Sequence, residues 1–216
     1  MKTGDSLRIS EIFFSVQGES RTVGWPTVFI RLTGCPLRCT WCDTAHAFSG
    51  GRRMDLSEIL AEVSEYRTSR VCVTGGEPLA QPLVHKLLDA LVGADYSVSL
   101  ETSGALDVSK VHPKVCKVID LKPPGSGEEA ANRYENMAYL DAHDQVKFVI
   151  QDEADYDWSV GKLREFDLMT RCEVLFSPVA DAMSPVWLAE KILKDRLNVR
   201  FQLQLHKILW GDKQGV

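Results

Sequence analysis

Three of the chain's six cysteines, Cys35, Cys39 and Cys42, fall within one run of eight residues, Cys35-Pro36-Leu37-Arg38-Cys39-Thr40-Trp41-Cys42. Thiols this close together can do three kinds of chemistry. With His46 they make a Cys3His set for a structural zinc ion, although zinc ligands usually come as two short pairs and here all would lie on one loop. As Cys39-Thr40-Trp41-Cys42 they supply a C-x-x-C redox dithiol, which leaves Cys35 unexplained. As three thiolates they hold an iron–sulfur cluster whose fourth iron stays open to a substrate or cofactor. Spacings of three and then two residues let one short loop wrap a cube, and thiolate softness suits iron.

Compartment and charge constrain the choice. Residues 1–10 contain no apolar stretch and no small-residue cleavage site, so they do not read as a secretory signal. No apolar run approaches the ~20 residues of a membrane helix. The chain is expected in the cytoplasm, where clustered cysteines more often bind metal or react than form disulfides. A formal charge of −5 argues against non-specific nucleic-acid binding. An anionic ligand must therefore be met by a few placed basic side chains.

The elements that must position the cysteines alternate between two patterns. Short β-branched runs at residues 27–32, 70–73, 97–100, 115–121, 145–150, 173–176 and 200–205 read as strands. Between the first two, Leu56, Ile59, Leu60 and Val63 form one helical face, opened by a capping box of Asp55 and Glu58. Leu83, Val84, Leu87, Leu88 and Leu91 form a second face, Ser184-Pro185 starts a late helix, and residues 158–166 read as a packing helix. Strand–helix alternation predicts an α/β fold with a mostly parallel sheet. At 216 residues the chain is short of the ~250 of a complete eightfold barrel, so a partial, open (β/α) barrel of about six strands in a single domain, residues 1–216, is expected.

Ligands in such folds sit at the C-terminal ends of the strands. The three cysteines follow the strand at 27–32. The next strand runs into Thr74-Gly75-Gly76-Glu77-Pro78, the third into Glu101-Thr102-Ser103-Gly104, and the fourth into Asp120-Leu121-Lys122. Polar groups thus collect on one rim. Arg31 needs explanation in an otherwise apolar strand. Its forked guanidinium suits a carboxylate, and the competing reading is an ion pair across the barrel with Glu19 or Glu77.

The C-x-x-x-C-x-x-C spacing, with Trp41 before the last cysteine, resembles the radical S-adenosylmethionine enzymes, and Gly75-Gly76-Glu77 looks like their second motif. The flanks narrow the resemblance. Phe14-Ser15-Val16-Gln17-Gly18-Glu19, Phe29-Ile30-Arg31-Leu32, Cys42-Asp43-Thr44 and Gln204-Leu205-His206-Lys207 look like the 7-carboxy-7-deazaguanine synthase family of queuosine and deazapurine biosynthesis. These matches span nearly the whole chain. The resemblance implies a reduced radical S-adenosylmethionine core, a homodimer, an electron donor such as flavodoxin or ferredoxin, and a magnesium requirement. The implied reaction turns 6-carboxy-5,6,7,8-tetrahydropterin into 7-carboxy-7-deazaguanine with loss of ammonia.

Carried onto this sequence, the resemblance makes Cys35, Cys39 and Cys42 the [4Fe–4S] ligands and Thr44 a Mg2+ ligand. S-adenosylmethionine would be met by Trp41, Cys42, Asp43, Gly76, Glu77, Thr102, Ser103, Asp120, Leu121 and Lys122. Ser177, Pro178, Val179 and Ala180 would add a further contact, through backbone because serine stands where the family has glutamine. Val16, Gln17, Gly18, Glu19, Arg31, Thr74, His206 and Val216 would meet the substrate. No residue is assigned as the catalytic acid or base. For Thr44 the competing role is a hydroxyl bonded to backbone at a helix start.

Elsewhere plainer readings hold. Cys72, Cys116 and Cys172 fit buried small hydrophobes, and His46 is expected near the cluster without being a ligand. The rival functions are a radical activase acting on a protein partner, which would not need Gln17, Arg31 or His206, and a zinc-bound interaction module without catalysis.

Overall fold

The computed structural model describes residues 6–211, 213, 215 and 216. Nine strands form one sheet in the order β3-β1-β2-β4-β5-β6-β7-β8-β9. Seven run parallel: β2 (Pro26–Leu32), β4 (Arg70–Gly75), β5 (Ser97–Thr102), β6 (Cys116–Leu121), β7 (Gln145–Ile150), β8 (Glu173–Pro178) and β9 (Arg200–Phe201). The other two, β1 (Ser6–Val16) and β3 (Arg52–Asp55), add an antiparallel edge beside β2 that the apolar patterning does not reveal. The sheet is open, as expected, and larger than six strands.

Period-two alternation divides each strand between two environments. Ile30, Val73, Ile119, Phe148 and Phe176 face the helix layer and are buried in the core. That layer contains α1 (Leu56–Glu65), α2 (Val84–Gly93), α3 (Glu153–Glu165), α4 (Leu168–Arg171) and α5 (Pro185–Asp195). The α1 capping box is present: Asp55 Oδ1 accepts from Glu58 N at 2.9 Å and Glu58 Oε2 from Asp55 N at 2.8 Å. Fully buried Val84, Leu87, Leu88 and Leu91 fix α2 to the sheet, each contributing about 1.5–3 kcal/mol of burial. Among the described residues no helix is long and apolar enough to cross a membrane.

The opposite strand faces surround a cavity, and residues 17–25 bridge the gap left by the open sheet. This β1–β2 connection reaches the last strands: Ser20 N donates to Gln202 Oε1 at 2.7 Å, Arg21 N to Gln145 Oε1 at 2.7 Å, and Arg21 Nε pairs with Glu173 at 2.7 Å. The expected strand at 200–205 is shorter than its apolar pattern. It stops at Phe201, and a six-residue helix, α6 (Leu205–Trp210), carries His206. Leu205 N bonds to Gly18 O at 3.0 Å, which ties α6 to the bridging loop.

Candidate active site

The cavity has a volume of about 650 Å³ and opens at the C-terminal ends of the parallel strands. All three clustered cysteines line it. Their loop leaves β2 through Gly34, at φ +101°, and is gripped on two sides. Gly34 O accepts from Glu77 N at 2.7 Å, and Gly34 N donates to Ala47 O at 2.8 Å. On the other side Thr40 N and Oγ1 bond to Ser126 O and Gly125 O at 3.0 and 2.9 Å, while the Arg38 guanidinium lies 4.2 Å from the centre of the Phe48 ring. The backbone thus holds the thiol loop before any metal does.

The surroundings of His46, the fourth ligand of the zinc reading, speak against that reading. His46 Nε2 lies 3.4 Å from Glu11 Oε1, in a short 3-10 helix over Ala45–Phe48. Among the described residues the one set of three candidate ligand atoms lying within 4.8 Å of one another is Asp141, His143 and Asp144, at the other end of β7. Three free thiols around an open cavity fit a group larger than a single tetrahedral ion. Burial pushes the Cys35 and Cys39 thiols up, with Lys122 pulling Cys39 partly back. Loading metal must therefore release protons.

Close packing explains the double glycine. A Cβ on Gly76 would lie 2.4 Å from Gly34 O and 2.9 Å from Cys35 Cβ. Gly76→Ala is therefore expected to push the thiol loop outward. Iron bound per chain after anaerobic reconstitution should fall severalfold, with overpacking costing about 1–3 kcal/mol. Full iron content at an unchanged melting temperature would mean that the loop yields freely.

Glu77, expected beside the cofactor, points away from the cavity. Its fully buried carboxylate accepts from Leu79 N at 2.9 Å, Thr102 Oγ1 at 2.9 Å, Ser103 N at 2.7 Å and the Ser103 hydroxyl. It joins the double-glycine loop to the end of β5. Thr102 and Ser103 still line the cavity, as do Trp41, Asp43, Asp120, Lys122, Val179 and Ala180. Leu121 does not, because strand alternation turns it into the core when Asp120 faces inward. Ser177 is buried, its hydroxyl without a hydrogen bond among the described residues, and Pro178 lines a neighbouring cleft instead.

The opposite wall holds Val16, Gln17, Gly18, Glu19, Arg31, Thr74, His206 and Val216. A Cβ on Gly18 would meet His206 Nδ1 at 2.2 Å, so the imidazole rests directly on the backbone of the bridging loop. Arg31 pairs through Nε with Glu11 Oε1 at 2.7 Å, so its partner is neither Glu19 nor Glu77. Thr44 stands at the start of the Ala45–Phe48 helix without capping it. Its Oγ1 is 3.8 Å from Cys42 Sγ and free of the backbone bond that the competing role requires.

Three cavity groups have no role in the sequence reading, although Glu101 stands on its polar rim. Glu101 accepts from Thr74 Oγ1 at 3.0 Å and Gln17 Nε2 at 3.3 Å. Lys147 bonds to Glu19 and lies 3.6 Å from Asp120, which also pairs with Lys122 at 2.9 Å. Burial alone would lower the Lys147 ammonium, but Glu19, Asp120 and Glu101 outweigh it and hold it well above the ordinary value. Glu19 is raised by burial and lowered more strongly by Lys147, Gln204 and His206, ending at about 2. A charge within an apolar strand, the signal that marks Arg31, also marks Lys147. Glu11 lies on the strand that the pattern does not reveal. Cys72 is buried as expected, whereas Cys116 and Cys172 are only partly so.

A partial parallel barrel with a three-thiol loop after its first parallel strand defines a radical S-adenosylmethionine enzyme. The family model described as "Radical SAM superfamily" matches residues 29–120. The chain is 43% identical to 7-carboxy-7-deazaguanine synthase of Chlorobaculum tepidum, with both chains covered completely. It is 41% identical to the enzyme of the same name from Koribacter versatilis, over 94% of this chain and 97% of that one. It belongs to the 7-carboxy-7-deazaguanine synthase family. The crystal structure of QueE from Escherichia coli shares the fold, with a TM-score of 0.76 at 24% identity over 93% of this chain and 95% of that one. Streptococcus suis SuiB bound to precursor peptide SuiA shares the core with a TM-score of 0.57, over 78% of this chain and 46% of that one.

Proposed function

We propose that the enzyme converts 6-carboxy-5,6,7,8-tetrahydropterin to 7-carboxy-7-deazaguanine with loss of ammonia, in a magnesium-dependent reaction feeding queuosine or another deazapurine. The observation carrying this reading is that one cavity holds both the three-thiol loop and an arginine whose terminal nitrogens have no hydrogen-bond partner among the described residues. Cys35, Cys39 and Cys42 would hold a [4Fe–4S] cluster. When bound, that cluster would reduce S-adenosylmethionine to give a carbon-centred radical able to take hydrogen from the substrate.

The chain's own residues bind and orient. Trp41, Asp43, Gly76, Thr102, Ser103, Asp120 and Lys122 on one wall, with Val179 and Ala180, would receive S-adenosylmethionine. Arg31 would receive the substrate carboxylate, and Gln17, Glu19, Thr74 and His206 the heterocycle, alongside Val16, Gly18 and Val216. The Thr44 hydroxyl would join substrate oxygens and water around a hard, octahedral Mg2+. A reductant such as flavodoxin or ferredoxin, a cytoplasmic location and a homodimer belong to the same proposal.

The test is anaerobic incubation of reduced, cluster-loaded enzyme with S-adenosylmethionine, Mg2+ and the pterin. Product and ammonia are expected in equal amounts. Cleavage of S-adenosylmethionine with the pterin untouched would defeat the proposal. Within it, Arg31→Lys keeps the charge and loses the fork. The Michaelis constant for the pterin should rise roughly tenfold, the value of about one charge-assisted hydrogen bond, and that for S-adenosylmethionine should barely move. An unaltered pterin constant would make Arg31 a structural ion-pair partner.

A further inference from the structure

We propose that Glu11 is the positioning residue for Arg31, delivered to the cavity by a β-bulge in β1 that turns the strand over at this point. The inference rests on the proposed role of Arg31 as the substrate carboxylate clamp.

The register of β1 against β2 supplies the argument. Ile9 pairs with Leu32, but Arg31 pairs with Glu11 instead of Ser10, so Ser10 is the extra residue. Before the bulge, Leu7 and Ile9 point into the helix-side core together with Ile30 and Leu32. Without an inserted residue Glu11 would continue on that face, where a carboxylate has no place. After the bulge the parity reverses. Glu11 and Phe13 face the cavity beside Arg31 and Phe29, and the two phenyl rings stack with centroids 4.9 Å apart. Bulges beside active sites commonly re-aim one side chain in this way.

The pairing geometry shows what the re-aimed carboxylate does. Glu11 Oε1 takes the Nε edge of the guanidinium at 2.7 Å. Among the described residues the two terminal nitrogens of Arg31 have no hydrogen-bond partner, and the guanidinium carbon lies 5.7 Å from the centre of the Phe13 ring. One edge of the fork is therefore held and the other is left for a planar, two-oxygen ligand. Glu11 also faces His46 Nε2 at 3.4 Å, linking the clamp to the segment that follows the thiol loop. Its task is direction, since its own charge subtracts from the attraction between Arg31 and an anion.

That distinction makes the role measurable. Removing Glu11 leaves the Arg31 charge and deletes an opposing one, so substrate affinity should persist while placement of the reacting carbon is lost. Glu11→Ala is expected to keep the pterin Kd within about threefold, measured on unreduced enzyme loaded with S-adenosylmethionine, and to lower kcat on the order of tenfold through misplacement. S-adenosylmethionine consumed per product formed should rise. Glu11→Gln, which keeps an acceptor oxygen for Nε, should recover part of both losses and serves as the test if the alanine variant does not fold. Unchanged kcat and coupling in both variants would overturn the inference, and so would a loss of affinity parallel to a loss of melting temperature. Arg31→Gln tests the underlying reading separately: a normal pterin Kd in that variant would refute the clamp itself.

Discussion

Replacing any one of Cys35, Cys39 or Cys42 with alanine is expected to reduce S-adenosylmethionine cleavage to background and to strip the protein of iron, while Cys72→Ala keeps both. The contrast follows from placement. The three clustered thiols line the cavity on a loop with neighbours on both sides, whereas Cys72 is buried within β4 and has no accessible surface. Burial holds the Cys72 thiol well above its ordinary value, so it has neither the thiolate nor the access that a ligand needs. Anaerobically purified protein should be brown, with iron and sulfide in equal amounts. The measurements are metal and sulfide content and 5′-deoxyadenosine formed with dithionite. Stoichiometric zinc without iron, or equal loss in the Cys72 variant, would sink the assignment of the cluster to this loop.

Secondary structure explains how far the site could be read from sequence. The parallel strands announce themselves because both of their faces are covered, so their apolar runs are dense and the polar residues at their ends stand out. That suffices to gather the thiol loop, Thr74, Gly76, Thr102 and Asp120 around one cavity. Side-chain direction is less legible. Leu121 sits between two polar cavity residues yet turns into the core, because sequence proximity does not override strand parity. Glu77 follows two close-packed glycines and is drawn inward by Thr102 and Ser103, whose hydroxyls and amide satisfy its buried carboxylate. The strand β1 escapes notice because its bulge breaks the alternation that would have revealed it, and Glu11 is hidden for the same reason. Residues 200–205 look like a strand throughout, but register pairing with β8 covers Arg200 and Phe201 and ends with the bond from Gln202 N to Phe176 O.

Lys147→Met is expected to cost about 3–5 kcal/mol, because it leaves buried carboxylates without their shared cation. For a chain of this size that corresponds to a fall in Tm of roughly 6–20 °C. Lys147 sits on β7 and reaches Glu19 in the bridging loop as well as Asp120 on β6, so it pins the segment that spans the open side of the barrel. Asp120 keeps Lys122 in the variant, whereas Glu19 keeps the amide of Gln204, at 2.7 Å, and the more distant His206 but no lysine among the described residues. The greater loss therefore falls on Glu19. Adding Glu19→Gln should restore much of the stability, since an uncharged pair is easier to bury than a lone charge. A double variant as unstable as the single one would show that packing of the lysine stem, and not the charge, is what matters. Acid gives an independent reading. The Glu19 carboxyl is held at about 2, against an ordinary 4.5, so its contribution is complete above 4.5 and drains away as the pH falls toward 2. Between those values wild type should lose stability faster than the double variant, which has no Glu19 carboxyl to protonate. Parallel acid unfolding curves for the two proteins would mean that the Glu19–Lys147 pair does not hold the bridging loop in place.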